Sequence, residues 1–408
     1  MNIKPCVIGL GYVGLPLILN LSKRFNCIGF DINKRRVKTL REKKDLNKEF
    51  NSKDFLGKKL HFTHNSDELI NSNFFIVCVP TPVDQYKIPD LNNLDEAIKI
   101  ISKKLKKGDI IFIESTIYPG LTEKYKLILE KKSSLKENKD FFIGYSPERV
   151  NPGDKIHTIN NINKIVSIET RNSTVKKKIF SVYKMVSKKI IYSKSIKSAE
   201  TAKVIENIQR DLNIALMNEI LLICKKLKID FKEVIRLAET KWNFMKFYPG
   251  LVGGHCLPVD PYYLSSIAKK NKIDADVILS GRKVNDEMIH FILKELKTFL
   301  KSYNKMLSKS KILLVGLSYK PGIADMRNSI NFKIYKFLLK YSSKVEAYDP
   351  FVANDFKIKY GILNKINKKI KYDAILFLSK SKKFEKEFKK LNMNKSKFKI
   401  IDPFEYYT

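Results

Sequence analysis

The chain of 408 residues is short of cysteine, histidine and acidic side chains and has no long apolar run, and each shortage closes off a class of function. Its five cysteines, at 6, 27, 78, 224 and 256, form no Cys-x-x-Cys pair, and His61, His64, His157 and His290 stand at no ligand spacing. No metal site is expected. No stretch of eighteen or more apolar residues occurs and the first residues lack a signal-peptide pattern. Neither a membrane span nor export is therefore expected, and the predicted location is cytoplasmic. Acidic residues number 42 against 79 basic ones, a net charge of +37. Such a surplus can neutralise nucleic-acid phosphates, but here it is spread along the chain as Lys-Lys pairs beside Ile and Asn, with no nucleic-acid-binding motif. It reads as solvated lysine faces without a nucleic-acid partner, on a surface that would still draw in a small dianion.

What is present points to a globular α/β protein of two or three domains. Gly9-Leu10-Gly11-Tyr12-Val13-Gly14 lies between the apolar runs Cys6-Val7-Ile8 and Leu15-Pro16-Leu17-Ile18-Leu19, so a glycine-rich turn joins a strand to a helix. The first glycine permits the turn, the second lets backbone amides approach a pyrophosphate, and the third allows close packing of helix on strand. The next strand, Cys27-Ile28-Gly29-Phe30, ends in Asp31, an acid placed to accept hydrogen bonds from ribose hydroxyls and to repel a 2′-phosphate. The expected cofactor is NAD, held by Gly9, Gly11, Tyr12, Val13, Gly14 and Asp31, with Arg36 placed to pair at the adenosine end.

Short apolar runs continue to alternate with amphipathic stretches. Strands are expected at 74–79, 109–114 and 141–145, followed by loops carrying Thr81, Thr116 and Glu148-Arg149. In an open parallel sheet such loops, beyond the carboxyl ends of the strands, line the ligand cleft. Helical periodicity without Pro or Gly runs from about Lys197 to Leu227, long enough to connect domains or to pair with its copy in a dimer. Residues 275–300 are helical again. A second α/β unit follows through Lys311–Gly316, Val345–Asp349, Ala374–Leu378 and Lys399–Asp402; it has Gly316 but no further glycine at fingerprint spacing, so a second NAD is not expected there. The expected domains are a dinucleotide-binding Rossmann domain at 1–196, a central helical dimerisation domain at 197–300 and a C-terminal Rossmann-like domain at 301–408. Cys6, Cys27 and Cys78 fall in expected strands and Cys224 in a helix, where a small buried hydrophobe is the default.

Cys256 is different. It sits in Gly253-Gly254-His255-Cys256-Leu257-Pro258-Val259-Asp260, a glycine-rich turn with a carboxylate four residues on. Small neighbours let a ligand approach closely, and an accessible thiol in a polar turn can supply a nucleophilic thiolate.

Eight motifs in order, GLGYVGLP (9–16), FDIN (30–33), VPTPVD (79–84), ESTIYPG (114–120), GYSPERVNPGD (144–154), AKVIENIQRDLNIALMNE (202–219), GLVGGHCLPVDPYYL (250–264) and SYKPGIADMRNS (318–329), make the chain resemble the UDP-glucose/GDP-mannose 6-dehydrogenase family along nearly its whole length. Within it, the stretch from Glu206 to Glu219 with Thr240-Lys241-Trp242-Asn243-Phe244 is most similar to UDP-N-acetylglucosamine or UDP-N-acetylgalactosamine 6-dehydrogenases of polysaccharide synthesis. The resemblance implies oxidation of the sugar C6 alcohol to a carboxylate with two NAD, through a thiohemiacetal and thioester on Cys256. It implies that Lys203 stabilises alkoxide character at C6, that Asn207, one helical turn on, holds a water or the oxyanion, and that Asp260 orients that water or assists the lysine's proton traffic. Glu148 and Thr116 would place the water and the nicotinamide, and Thr81 and Arg327 would complete the NAD site.

For the sugar nucleotide, the resemblance points to Tyr319 and Lys320, with Glu148, Arg149, Lys203, Asn207, Arg210, Tyr248, Gly250 and His255 as further contacts. Trp242 and Phe247 are open between packing and uracil stacking. His255 and Val259 depart from the glucose enzymes of the family, where serine or tyrosine and lysine stand, and what replaces that lysine is open. A homodimer is implied. Gluco and galacto sugars are not distinguished, and the mannosamine and glucose substrates remain alternatives. A two-electron β-hydroxyacid dehydrogenase would have no use for the thiol. A silent nucleotide-sugar sensor would not need every catalytic position intact.

Overall fold

The computed structural model describes residues 2–47, 49–150, 158–320, 322, 325–342, 344–367, 369–392 and 399–407. His157, noted above as having no ligand spacing, lies outside them. The chain divides into two compact units, one of residues 1–206 with 262–273 and the other of residues 207–261 with 274–408.

The first unit is built on eight strands: β1 (Pro5–Ile8), β2 (Cys27–Phe30), β3 (Leu60–Thr63), β4 (Phe74–Val77), β5 (Asp109–Ile113), β6 (Phe141–Tyr145), β7 (Lys164–Ile168) and β8 (Ile190–Ser193). Their order is β3-β2-β1-β4-β5-β6-β7-β8, parallel throughout except where β7 runs antiparallel to β6. The strand order reverses between β1 and β4, so the loops leaving these two strands flank the crevice in which such sheets bind ligands. Strands β1, β4, β5 and β6 are buried along their whole length, and their unbroken apolar sequences fit a sheet covered on both faces. Helix α1 (Gly14–Leu21) buries Leu15, Leu17, Ile18, Leu19 and Leu21. Helix α2 (Lys34–Arg41) is capped by Asn33, whose side chain accepts from the Arg36 N–H. Helices α3 (Asn92–Ser102), α4 (Leu121–Ser133) and α5 (Ser173–Tyr183) complete this set. One expectation needs correcting: β4 ends at Val77, and Cys78 follows it, its N–H donating to Ile8 O at 2.8 Å.

Helix α6 (Ile196–Leu227) forms as one 32-residue element, as its unbroken periodicity predicts; its residues through Glu206 belong to the first unit and the rest to the second. Helices α7 (Phe231–Ala238), α8 (Asp260–Lys270) and α9 (Asp276–Lys301) follow. The second unit carries β9 (Ile312–Val315), β10 (Val345–Tyr348), β11 (Ile362–Leu363), β12 (Ala374–Phe377) and β13 (Ile400–Ile401), all parallel in the order β11-β10-β9-β12-β13. Leu221 on α6, Met288, Ile292 and Leu296 on α9, and Ile312 and Leu314 on β9 share one core. The two sheets use the same local device. Gly9 and Gly316 both have φ near +91°, and the next N–H in each case, of Leu10 or Leu317, donates to an aspartate ending the neighbouring strand, Asp31 or Asp349.

Candidate functional site

In the first unit, the three glycines of the turn after β1 have separable tasks. A Cβ on Gly9 would stand 2.8 Å from Cys78 O, and one on Gly14 would stand 1.8 Å from Gly9 O, whereas one on Gly11 would meet nothing within 4 Å. Gly9 and Gly14 are thus required by packing inside the protein, and Gly11 leaves open backbone where an anion can approach a helix N-terminus. Asp31 ties this turn to β2: its Oδ2 accepts from Leu10 N–H and its Oδ1 from Asn33 N–H, both at 2.9 Å. Each oxygen keeps a lone pair for a ribose hydroxyl. Arg36 donates from Nε to Leu10 O at 2.9 Å and pairs through Nη1 with Asp45 at 2.7 Å, almost wholly buried. It clamps the glycine turn from beneath. Tyr12 and Val13, at the turn's end, are half-buried.

The loops after β4 and β5 are joined. Thr81 Oγ1 donates to Thr116 O at 2.8 Å, Ser115 Oγ to Val79 O at 2.7 Å, and Tyr263 Oη to Thr81 O at 2.7 Å. Glu200 on α6, one helical turn before Lys203, accepts from Gly120 N–H at 2.6 Å and Thr122 N–H at 2.9 Å. It caps α4 and fixes the start of α6 to the loop bearing Thr116. Lys203 is 8% exposed, which removes the ordinary reading of a solvated helical lysine. After β6, Glu148 Oε1 accepts from the N–H groups of Arg149 and Val150 at 2.8 and 2.6 Å. Arg149 turns away from Glu148 and pairs with Glu206 at 2.8 Å, also donating to Asn163 O.

In the second unit, Cys256 is partly exposed, and its carbonyl accepts from Val259 N–H at 3.0 Å and Asp260 N–H at 2.9 Å. The thiol therefore sits on a tight turn leading straight into α8. Asp260 is 2% exposed and accepts from Asn207 Nδ2 at 2.5 Å, which unites two residues the motifs assigned to one task. Gly254, with φ +93°, and Gly253 admit no side chain: a Cβ would stand 2.8 Å from the Tyr319 ring and 2.9 Å from Asn328 O respectively. His255 meets the Tyr319 ring edge-on at 6.1 Å. Upstream, Asn218 grips Gly250 on both sides, accepting from its N–H at 2.8 Å and donating to its carbonyl at 3.0 Å. Asn285 accepts from the same Asn218 amide at 2.8 Å.

Arg327 is more than half exposed and forms a bidentate pair with Asp325, with contacts of 2.6 to 3.1 Å. Burial pushes the Asp325 carboxyl up, and the hydrogen bonds and charge of Arg327 outweigh it, leaving the group below its usual value. Lys320 is half-buried and Arg210 exposed. Tyr248 is 46% exposed with Lys380 Nζ 4.1 Å above its ring. Trp242 is 92% exposed, so packing does not explain it, whereas Phe247 leans on the second unit's core. Val259 is buried. Sequence reasoning missed Glu200, Asn218 and, at the start of β7, Lys164. Their polar types in apolar stretches were the only available signal, and each acquires meaning from a partner remote in the chain. Among the described residues no cluster of His, Cys, Asp or Glu could hold a metal ion.

Comparison with known proteins agrees with this geometry. The NAD-binding domain of the UDP-glucose/GDP-mannose dehydrogenase family matches residues 1–187, its central domain residues 197–287, and its UDP-binding domain residues 313–408. A UDP-N-acetyl-D-glucosamine 6-dehydrogenase of Pseudomonas aeruginosa is 44% identical over 88% of this chain and 86% of its own. One of Salmonella typhi is 42% identical over 92% and 89%. Among solved structures, the UDP-D-ManNAc dehydrogenase of Pyrococcus horikoshii superposes with a TM-score of 0.87 at 30% identity, covering 100% of this chain and 96% of the other. The architecture is accordingly an N-terminal Rossmann domain whose cofactor is NAD, a central helical domain and a C-terminal domain for the UDP moiety. The chain belongs to the UDP-glucose/GDP-mannose dehydrogenase family.

Proposed function

We propose that the protein oxidises the C6 hydroxyl of a UDP-N-acetylhexosamine, UDP-GlcNAc or UDP-GalNAc, to the carboxylate through covalent intermediates on Cys256. The observation that carries this reading is the partly exposed Cys256 on a turn whose last residue, Asp260, is hydrogen-bonded to Asn207. Two relatives above 40% identity, the Pseudomonas and Salmonella UDP-N-acetyl-D-glucosamine 6-dehydrogenases, favour the gluco sugar. The mannosamine substrate stands second, on the likeness to the Pyrococcus enzyme.

The open backbone of Gly11 and the Asp31 carboxylate would hold the pyrophosphate and ribose of NAD, which when bound would supply the hydride acceptor for both oxidations. In the proposed sequence the C6 hydroxyl proton leaves by way of Asp260 and water, and the Lys203 ammonium stabilises the alkoxide and then the aldehyde oxygen. The Cys256 thiolate adds to the aldehyde, so the half-oxidised sugar stays attached as a thiohemiacetal; its oxidation leaves a thioester. Glu148 takes a proton from the water that attacks the thioester carbonyl, the C–S bond breaks, and the thiolate and the acid are released. Asn207 and Asp260 orient that water, while Thr81 and Thr116 position the nicotinamide. Arg327 completes the NAD site. Tyr319, Lys320 and His255, with Arg149, Arg210, Tyr248 and Gly250, bind the sugar nucleotide.

Among the described residues no helix is long and apolar enough to cross a membrane, and we place the enzyme in the cytoplasm, supplying a uronic acid for surface polysaccharide. Leu216, Ile223 and Leu227 form an exposed apolar stripe on α6, which supports a homodimer. Replacing the nucleophile tests the chemistry. Cys256→Ser should lower acid formation by about 10²-fold or more, as read from product analysis with NAD and UDP-GlcNAc. Undiminished acid from this variant would remove Cys256 from its role.

A further inference from the structure

The least expected charges in the molecule lie behind Glu148. Because β7 runs antiparallel to β6, its first residue, Lys164, comes alongside the loop that leaves β6, and Ser146 Oγ donates to Ile165 O at 2.7 Å to fix that register. The Lys164 side chain is 1% exposed. Its Nζ lies 2.6 Å from Glu114 Oε2, at the end of β5, donates to Pro147 O at 3.2 Å and stands 3.6 Å from Glu148 Oε2. One buried ammonium thus faces two carboxylates. Among the described residues, Glu114 Oε1 and Glu148 Oε2 are buried without a hydrogen-bond donor. The backbone N–H groups on Glu148 Oε1 fix one oxygen, and Lys164 is the charge that faces the other.

Burying an uncompensated carboxylate is costly, so a lysine kept here must offset something the strand alone does not need. We propose that Lys164, itself held by Glu114, is the positioning residue for Glu148, directing its carboxylate for the hydrolytic step. This rests on the reading of Glu148 as the group that takes the water's proton. The other titratable groups that meet this cluster are Cys78, after β4, and Tyr183, on α5; burial pushes both well up, so both stay neutral. Burial also raises the Glu114 carboxyl, against the opposing charge of Lys164. Burial works against the Lys164 charge too, and the two glutamates outweigh it, holding the ammonium above its ordinary value.

The double change Lys164→Met with Glu114→Gln removes the ammonium without stranding its partner. In the full-length enzyme with NAD and UDP-GlcNAc, kcat at neutral pH should fall by about 10- to 100-fold. KM for both substrates should stay within about twofold. Lys164→Arg in the native background should restore most of the rate. Glu114→Gln alone, the milder variant should the double one fail to fold, keeps the ammonium and should lower kcat by less than the double change, with KM unmoved. A native kcat in the double variant, a KM that rises with the fall in kcat, or a Lys164→Arg variant as slow as the double one overturns the proposal. Glu148→Gln separates the two levels: if it is impaired while the Lys164 and Glu114 variants are not, the positioning role falls. If it turns over like the native enzyme, the role assigned to Glu148 falls first and takes this one with it.

Discussion

Gly11 and Gly14 belong to one fingerprint and are expected to fail in different ways. A methyl group on Gly14 runs into Gly9 O, while one on Gly11 enters open space. Gly14→Ala should therefore destabilise the fold by about 2 kcal/mol or more, as overpacking against backbone does, visible in thermal melting without ligand. Gly11→Ala should melt like the native chain and weaken NAD binding in calorimetry, since the added methyl lies where the pyrophosphate approaches. Equal melting of the two variants would contradict this division. At this scale the glycine turn after β1 and the tight turn bearing Cys256 were legible because both are written in neighbouring residues. What Arg36 holds was not: its partners are Leu10 O and Asp45, 26 and 9 positions away, and nothing local points to either. The Asn207–Asp260 contact spans 53 positions, and only the motifs' shared task hinted at it.

Among the elements, β1, β4, β5, β6 and α6 follow from apolar runs and periodicity, and β3, β7 and β8 escaped. Strand β7 opens on a lysine, and in a chain so rich in lysine that residue signals a solvated edge; here it is buried against Glu114. Strand β8 is only half-buried, so its sequence lacks the apolar continuity of the central strands. Asp109, the first residue of β5, gives this scale its own test. Burial raises its carboxyl from 3.8 to about 6, against the opposing hydrogen bond from Lys106 N–H. Because the folded value is the higher one, the proton-linked stability is complete below pH 3.8 and is lost as pH rises through about 6. Asp109→Asn keeps an acceptor for Lys106 and carries no charge. It should raise the melting temperature by roughly 2–4 °C at neutral pH and leave it unchanged in mild acid; a stabilisation equal at both would show that charge burial is not its source.

For the whole molecule, the order of motifs along the chain conveyed the family and the NAD cofactor, because dinucleotide turn, central helix and thiol turn each carry chemistry in a short span. Sugar choice was not conveyed, since the gluco and galacto sugars differ only in the orientation of one hydroxyl. Assembly is tested by charge. Leu216→Glu with Ile223→Glu places acids in the exposed stripe of α6 and should convert a dimer into a monomer in sedimentation velocity, with little effect on melting. A native chain that sediments as a monomer would contradict the proposed pairing.

The most direct measurement of the central claim counts electrons. The native enzyme, incubated with excess NAD and a limiting amount of UDP-GlcNAc or UDP-GalNAc, should form two NADH for each sugar consumed and release the uronic acid with no free aldehyde. One NADH per sugar, with the aldehyde free in solution, would contradict the account.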